Sequence, residues 1–287
     1  MKENNGMKTS ILVCYHKDTV VRRDPDYVPI QAGRALSPLR LDMIGDDTGD
    51  NISLRNASFC ELTAIYWAWK NLKDVDCIGL CHYRRFFDFH NVIPSVYSVK
   101  YEDVGRLGEY DLSLPDTLKR KIAAGSVVVA NRMYMKETIF SHFCTCHEAD
   151  DLKKLRDIIY ANGEKDYIEA FDTLMLGNSI SLYNMFVMSW ADFDEYCTWL
   201  FDILFKLEKV VDITDYTPYQ KRLFGFVSER LLSVYLIAKN KRRLFYPVVQ
   251  FVEADQVDNH GPVRERFSVL NKRIRFLFKE RPANYRE

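Results

Sequence analysis

The side chains best suited to chemistry stand where apolar runs stop. Tyr15 and His16 end "SILVCYH", His82, Arg84 and Arg85 follow the apolar start of "IGLCHYRRFFDF", and Asn131 and Arg132 follow the valines of "AAGSVVVANRMY". A polar stretch between the first two runs adds Asp46, Asp47 and Asn51. These residue types suit a ligand with a planar base, several hydroxyls and a doubly charged diphosphate. Arginine grips phosphate oxygens through a two-donor fork and does not lose its charge. Adjacent Arg84 and Arg85 could neutralise a departing diphosphate, and alternation along an extended segment requires only one of them to face it. A surface salt-bridge cluster is the competing reading of that pair. "SHFCTCHEAD" gathers His142, Cys144, Cys146 and His147, but at a spacing that suits no standard metal site. No phosphate-binding loop, dinucleotide fingerprint, nucleophile elbow or HExxH helix occurs.

The elements that must position these residues follow from apolar periodicity. Ser10–His16 predicts a buried strand opening onto a site at its C-terminal end, where ligands bind in α/β sheets. Thr19 to Asn51 is rich in Pro, Gly and Asp and reads as a long irregular loop. "ASFCELTAIYWAWKNL" carries Phe59, Leu62, Ile65, Tyr66 and Trp69 on one helical face, with Ser53 or Asn56 as cap and Glu61 as a charge in the first turns. Cys77–Cys81 is a second buried strand, so strand, helix and strand form a crossover unit. A third strand lies within Ala123–Tyr134, helices over Glu148–Tyr160 and Glu164–Leu176, and a strand or strand pair in "NSISLYNMFVMSW". A long helix capped by Asp192, a further helix in "FGFVSERLLSVYLIAKN" and an edge strand broken by Pro247 complete the reading. The expected class is α/β, a mixed and mostly parallel sheet flanked by helices with a C-terminal helical appendage.

Composition sets the outer bounds. The 287 residues are 47% hydrophobic and 28% charged, enough for one full core. Lysine plus arginine and aspartate plus glutamate each total 40, so no global field favours nucleic acid. Seven cysteines without paired CxxC spacing read as reduced thiols rather than a disulfide framework. With no signal-like or spanning segment, a cytoplasmic location is expected, peripheral at the inner membrane face if the C-terminal segment reaches lipid. The expected division is a disordered or tag-like stretch over 1–9, a main domain over 10–255 and a basic amphipathic segment over 256–287. In that segment Phe267, Leu270, Ile274, Leu277 and Phe278 form a stripe flanked by cations, suited to docking on its own fold or on a membrane surface.

"ILVCYHKD", "YVPIQAG", "DNISLRNASFCELTAIYWAWKN", "IGLCHYRRFF", "YNMFVMSWADFDEYCTWLFDILFKLE" and "RLFGFVSERLLSVYL" occur in order from about Ser10 to Phe251. Together they resemble a family of uncharacterised-domain proteins from bacterial capsule, O-antigen and exopolysaccharide clusters, taken to be glycosyltransferases of GT-A-like (Rossmann-like) fold. The resemblance implies a hexosyltransferase using a nucleotide-diphosphate sugar, with a UDP-hexose the expected donor, and a saccharide or lipid-linked glycan acceptor. It implies Tyr15 and His16 near the nucleotide, and Asp46, Asp47 and Asn51 near the donor sugar or ribose. Glu61, His82, Arg84, Arg85 and Asn131 join this donor set, and Asn184 and Arg230 form the acceptor set. "HYRR" stands where many such enzymes carry a metal-binding Asp-x-Asp. The favoured scheme therefore uses arginine charge and no required cofactor, with manganese or magnesium on His82 and Asp88 as the alternative. Glu229, in "GFVSERLL", resembles the acidic residue that serves as base in inverting members, with Asp46, Asp47 and Glu61 in reserve. Its competing role is a helix charge paired with Arg222 or Arg230. Two other functions stay open at this point: a non-catalytic scaffold of a polysaccharide assembly complex, and a binder of single-stranded nucleic acid.

Overall fold

The computed structural model describes residues 7–90, 99–257 and 262–278. Of the expected terminal segments, residues 1–6, 258–261 and 279–287 lie outside the described residues. The strands are β1 Thr9–Tyr15, β2 Tyr27–Gln31, β3 Ile44–Gly45, β4 Cys77–His82, β5 Arg85–Phe87, β6 Val99–Asp103, β7 Ser126–Ala130, β8 Met133–Tyr134, β9 Ser179–Ile180, β10 Phe186–Ser189, β11 Arg242–Tyr246 and β12 Val248–Val252. The α-helices are α1 Asn56–Phe59, α2 Leu62–Asn71, α3 Asp116–Ala123, α4 Ile139–Phe143, α5 Ala149–Ala161, α6 Lys165–Leu176, α7 Trp190–Glu208, α8 Leu223–Ala238 and α9 Pro262–Leu277.

The main sheet runs β11-β7-β10-β4-β1-β2-β3, and β5, β12 and β6 extend it from β4. It is mixed and mostly parallel, with β10 antiparallel to both β4 and β7. Alternation along β1 sends Leu12 and Cys14 into one core and Ile11, Val13 and Tyr15 into the other. The first core packs the sheet against helices that include α2, α5, α6, α7 and α8; the second lies toward α3, β5 and β12. On β4, Ile78 and Leu80 belong to the helical side. The next residue in that phase, His82, is thereby aimed at the helices. Gly79 is required by close packing, since a Cβ there would stand 2.8 Å from the Phe186 carbonyl oxygen of β10.

Four expectations change. The stretch Thr19–Asn51 is not irregular throughout, because β2 pairs in parallel with β1, Pro29 opposite Val13, and β3 follows it. A five-residue strand containing proline leaves little periodic signal. The single helix from Ala57 divides at Cys60, whose φ of 51° breaks the repeat. Asn56 Nδ2 donates across the break to the Cys60 carbonyl at 2.7 Å and to Thr63 Oγ1 at 3.0 Å. Glu61 consequently stands at the N-cap position of a second helix, without a side-chain capping bond, instead of riding inside the first. Ser189, not Asp192, caps α7, accepting from the Asp192 N–H at 3.2 Å. The apolar stripe of α9 does not bury itself on the fold: Phe267 and Leu277 are 67% and 75% exposed. The helix touches the body where Arg273 lies over the Tyr134 ring of β8.

Candidate active site

A cleft of about 790 Å³ opens at the C-terminal ends of β1 and β4. Tyr15, His16, His82 and Tyr83 come from the strand ends; Asn56, Cys60 and Glu61 come from the broken helix. The remaining walls are Arg85, the α4 turn with His142, Phe143 and His147, the turn before β10 with Tyr183, and the segment entering α8 with Tyr219, Arg222, Phe226, Glu229 and Arg230. Strand ends flanked by helix starts are where α/β sheets bind ligands.

The turn at Tyr183 organises one side of the cleft. Tyr183 and Asn184 have φ of 78° and 54°, left-handed values that a tyrosine adopts only when its surroundings hold it. The Tyr183 N–H donates to Glu229 Oε1 at 2.8 Å, and its carbonyl accepts from His82 Nε2 at 2.7 Å. That acceptor fixes the His82 tautomer with its proton on Nε2. Asn184 Nδ2 donates to Glu61 Oε1 at 2.7 Å and to the Gly225 carbonyl at 3.1 Å. Two cleft carboxylates and one histidine are thus tied to two consecutive residues.

Charge is distributed unevenly around them. Burial raises the Glu229 carboxyl above the ordinary glutamate value, and the nearby Glu61 charge adds to the rise against the opposing pull of Arg230 and the Tyr183 N–H. Arg230 Nη1 donates to Glu229 Oε2 at 3.0 Å and to the Phe226 carbonyl at 2.8 Å. Arg85 donates through Nε to Gln250 at 2.9 Å and lies 4.9 Å from the Tyr183 ring centre, a pose that uses only one of its nitrogens. Arg222, exposed, donates to Cys60 Sγ at 3.3 Å, and burial pushes the Cys60 thiol up to about 11. His82 is held neutral by burial, against the pull of the Glu61 charge. His147 stacks with Phe143 and Tyr219 and meets Phe226 at a tilt, and burial, then Arg230, lowers it to about 4. Among the described residues, buried Arg230 Nε, Asn184 Oδ1, His142 Nδ1 and both His147 ring nitrogens have no hydrogen-bond partner. Arg230, His142 and His147 belong to the cleft wall, so most of these unpaired atoms lie just behind its surface.

The expected site residues divide. Tyr15, His16, Glu61, His82, Arg85, Glu229 and Arg230 line one cleft. Asp46 does not: it is fully buried and accepts from the N–H groups of Gly33 and Arg34 and from the hydroxyls of Ser53 and Thr63. Four donors on one carboxylate make it the tie of the β2–α1 loop and leave no oxygen for an acceptor proton. Asp47 sits beside Arg34 and Arg40, and Asn51 shapes its own turn by accepting from the Ser53 N–H. Arg84 sits in the turn between β4 and β5 and pairs with Glu253 at 2.8 Å, whereas Arg85 stands opposite His82 in the antiparallel pair and shares its face. Asn131 bonds its N–H to the Tyr246 carbonyl and is not part of the cleft wall. Asn184 is 2% exposed and works from behind the wall, holding Glu61.

The expected metal pair also separates. His82 Nε2 is committed to a carbonyl, while buried Asp88 accepts from the Tyr110 hydroxyl at 3.0 Å in a different pocket. Among the described residues no three His, Cys, Asp or Glu side chains are grouped to hold a cation. His82 and Asp88 therefore do not form one cation site. Arg222, Tyr183, Cys60 and the aromatic wall were not among the expected site residues. Only the wall had a signal, the "SHFCTCHEAD" cluster, which supplies His142 and His147 to the cleft.

Residues 10–241 match the family described as a domain of unknown function, DUF4422. No curated protein matches the chain. A solved structure, the apo form of the bifunctional glycosyltransferase WbbM, superposes with a TM-score of 0.75 at 26% identity, over 86% of this chain and 46% of that one. The chain therefore spans about half the length of that protein.

Proposed function

The chain belongs to the DUF4422 family, and from that membership, its structural likeness to a bifunctional glycosyltransferase and the cleft we propose that it is a glycosyltransferase. It moves a sugar from a nucleotide-diphosphate donor, a UDP-hexose in the reading favoured here, to a saccharide or lipid-linked glycan acceptor in polysaccharide assembly. The observation that carries this reading is one cleft whose wall holds two arginines, Arg85 and Arg222, together with Glu229, a carboxylate of raised affinity for protons. Arg85 and Arg222 receive the diphosphate and neutralise the charge that grows as the glycosidic C–O bond breaks. Glu229 takes the proton of the acceptor hydroxyl as its oxygen bonds to the anomeric carbon. Arg230 and the Tyr183 N–H orient that carboxylate. The aromatic face of His147, Tyr219 and Phe226 supports the acceptor ring, and the β1 end with His16 and Tyr83 receives the nucleoside.

Glu229→Gln tests the chemical step. Release of nucleoside diphosphate from a panel of nucleotide sugars, with an oligosaccharide acceptor, should fall by ~10²–10⁴-fold while donor affinity changes little. Turnover retained within a few-fold would remove Glu229 as base and return Glu61 to that place.

The exposed stripe Phe267, Leu270, Ile274 and Leu277 on α9 supports a second part of the reading, contact with an anionic membrane surface at the cytoplasmic face. No described helix is long and apolar enough to cross a membrane. Sedimentation with phosphatidylglycerol vesicles should be lost in a Phe267→Glu, Leu277→Glu variant; sedimentation equal to the unaltered chain would contradict it.

A further inference from the structure

A second pocket, of about 290 Å³, lies apart from the cleft and shares no wall residue with it. Its floor is apolar: Leu174 of α6, Ile180 of β9, and Leu232, Leu236 and Ile237 of α8. Arg132 and Arg243 stand in its wall with Ser233 and Phe245. Arg243 and Phe245 share a face of edge strand β11 by alternation, and Arg132 lies over the Phe245 ring at 4.7 Å. Among the described residues neither guanidinium has an acid within ion-pair distance. Burial and then the charge of Arg132 hold Arg243 below the ordinary arginine value, as expected for like charges brought together without a counter-ion. Arg243 is half-buried beside the apolar floor, and Arg132 stands exposed at its edge. β9 pairs with β8, Ser179 opposite Tyr134, and Tyr134 is where α9 touches the body. The pocket therefore opens one strand pair away from the amphipathic helix.

We propose that this pocket binds an amphiphilic anion, a phosphate or carboxylate head on an apolar chain, with the head between Arg132 and Arg243 and the chain along Leu174, Leu232 and Leu236. The volume is near the small end of ligand pockets, ~300–1,000 Å³, and admits part of such a chain. The inference is independent of the chemistry assigned to the cleft.

Calorimetric titration of the full chain with octyl phosphate, kept below its micellar concentration, tests it, with octanol and inorganic phosphate as the two halves of the probe. Octyl phosphate should bind saturably at one site and at least tenfold more tightly than either half. Arg132→Gln, Arg243→Gln together should weaken it tenfold or more. Ser233→Leu, which fills the pocket without touching either arginine, should abolish it and leave nucleoside diphosphate binding unchanged. Absence of saturable binding, equal affinity for inorganic phosphate, or unaltered octyl phosphate affinity in Ser233→Leu would each overturn the proposal.

Discussion

Two neighbouring arginines in this chain have different work. Arg84 spends its charge on Glu253 at the surface, where an ion pair is worth about 0–1 kcal/mol, whereas Arg85 lines the cleft. Arg85→Ala should raise the donor KM tenfold or more, and Arg84→Ala should leave it within twofold; equal effects in steady-state kinetics would contradict the division. Sequence reading reached the pair but could not assign the roles, because alternation says that one faces inward without saying which. Glu229 likewise was visible as an acid on a helix. The features that qualify it as a base, burial and the Tyr183 N–H, depend on a turn 46 residues earlier in the chain. Since burial raises its carboxyl above the ordinary value of 4.5, kcat/KM should rise with pH through an acid limb centred above 4.5, and a limb at or below 4.5 would count against that environment.

At the scale of elements, strands announced by continuous apolar runs were legible. β1 and β4 match the expected segments to within a residue and β7 falls inside its own; His16 and His82 line the cleft, while the Tyr15 side chain is buried in the core on the other face. What the sequence concealed were irregular joints. β2 carries a proline, Cys60 breaks a helix through a left-handed residue, and the Tyr183–Asn184 turn has no glycine to betray it. Each is held by distant partners, so no local propensity encodes it. The joint between α4 and α8 is another such case, with His147 stacked on Phe143 and Tyr219 and tilted against Phe226. Its folded value of about 4 lies below the ordinary 6.5, so the folded chain binds fewer protons than the unfolded chain between those values. Stability from this site should be complete above pH 6.5 and fall as pH drops toward 4, by up to about 3 kcal/mol. His147→Phe keeps the stack and should flatten that part of the urea-denaturation profile; an unchanged slope between pH 6.5 and 4 would show that His147 is not the titrating group.

For the whole molecule, balanced total charge hides local imbalance. Cations collect beside the cleft, around the second pocket and along α9, while acids such as Asp46 and Asp88 are spent inside the fold. Class and topology were legible because they follow from where apolar runs lie. The site was legible only in part, because a cleft assembled from strand ends, a broken helix and α8 joins residues between 14 and 230. The central claim is that this cleft holds a nucleoside diphosphate. Thermal unfolding of the full chain with uridine, guanosine, cytidine and thymidine diphosphates at millimolar concentration measures it directly. Ligand at about 100 times its Kd stabilises by ~2.7 kcal/mol, a rise of several degrees in a protein of this size. One nucleotide should raise Tm by that amount in the unaltered chain and by much less in Arg85→Ala; no shift with any of the four, or an equal shift in Arg85→Ala, would contradict the account.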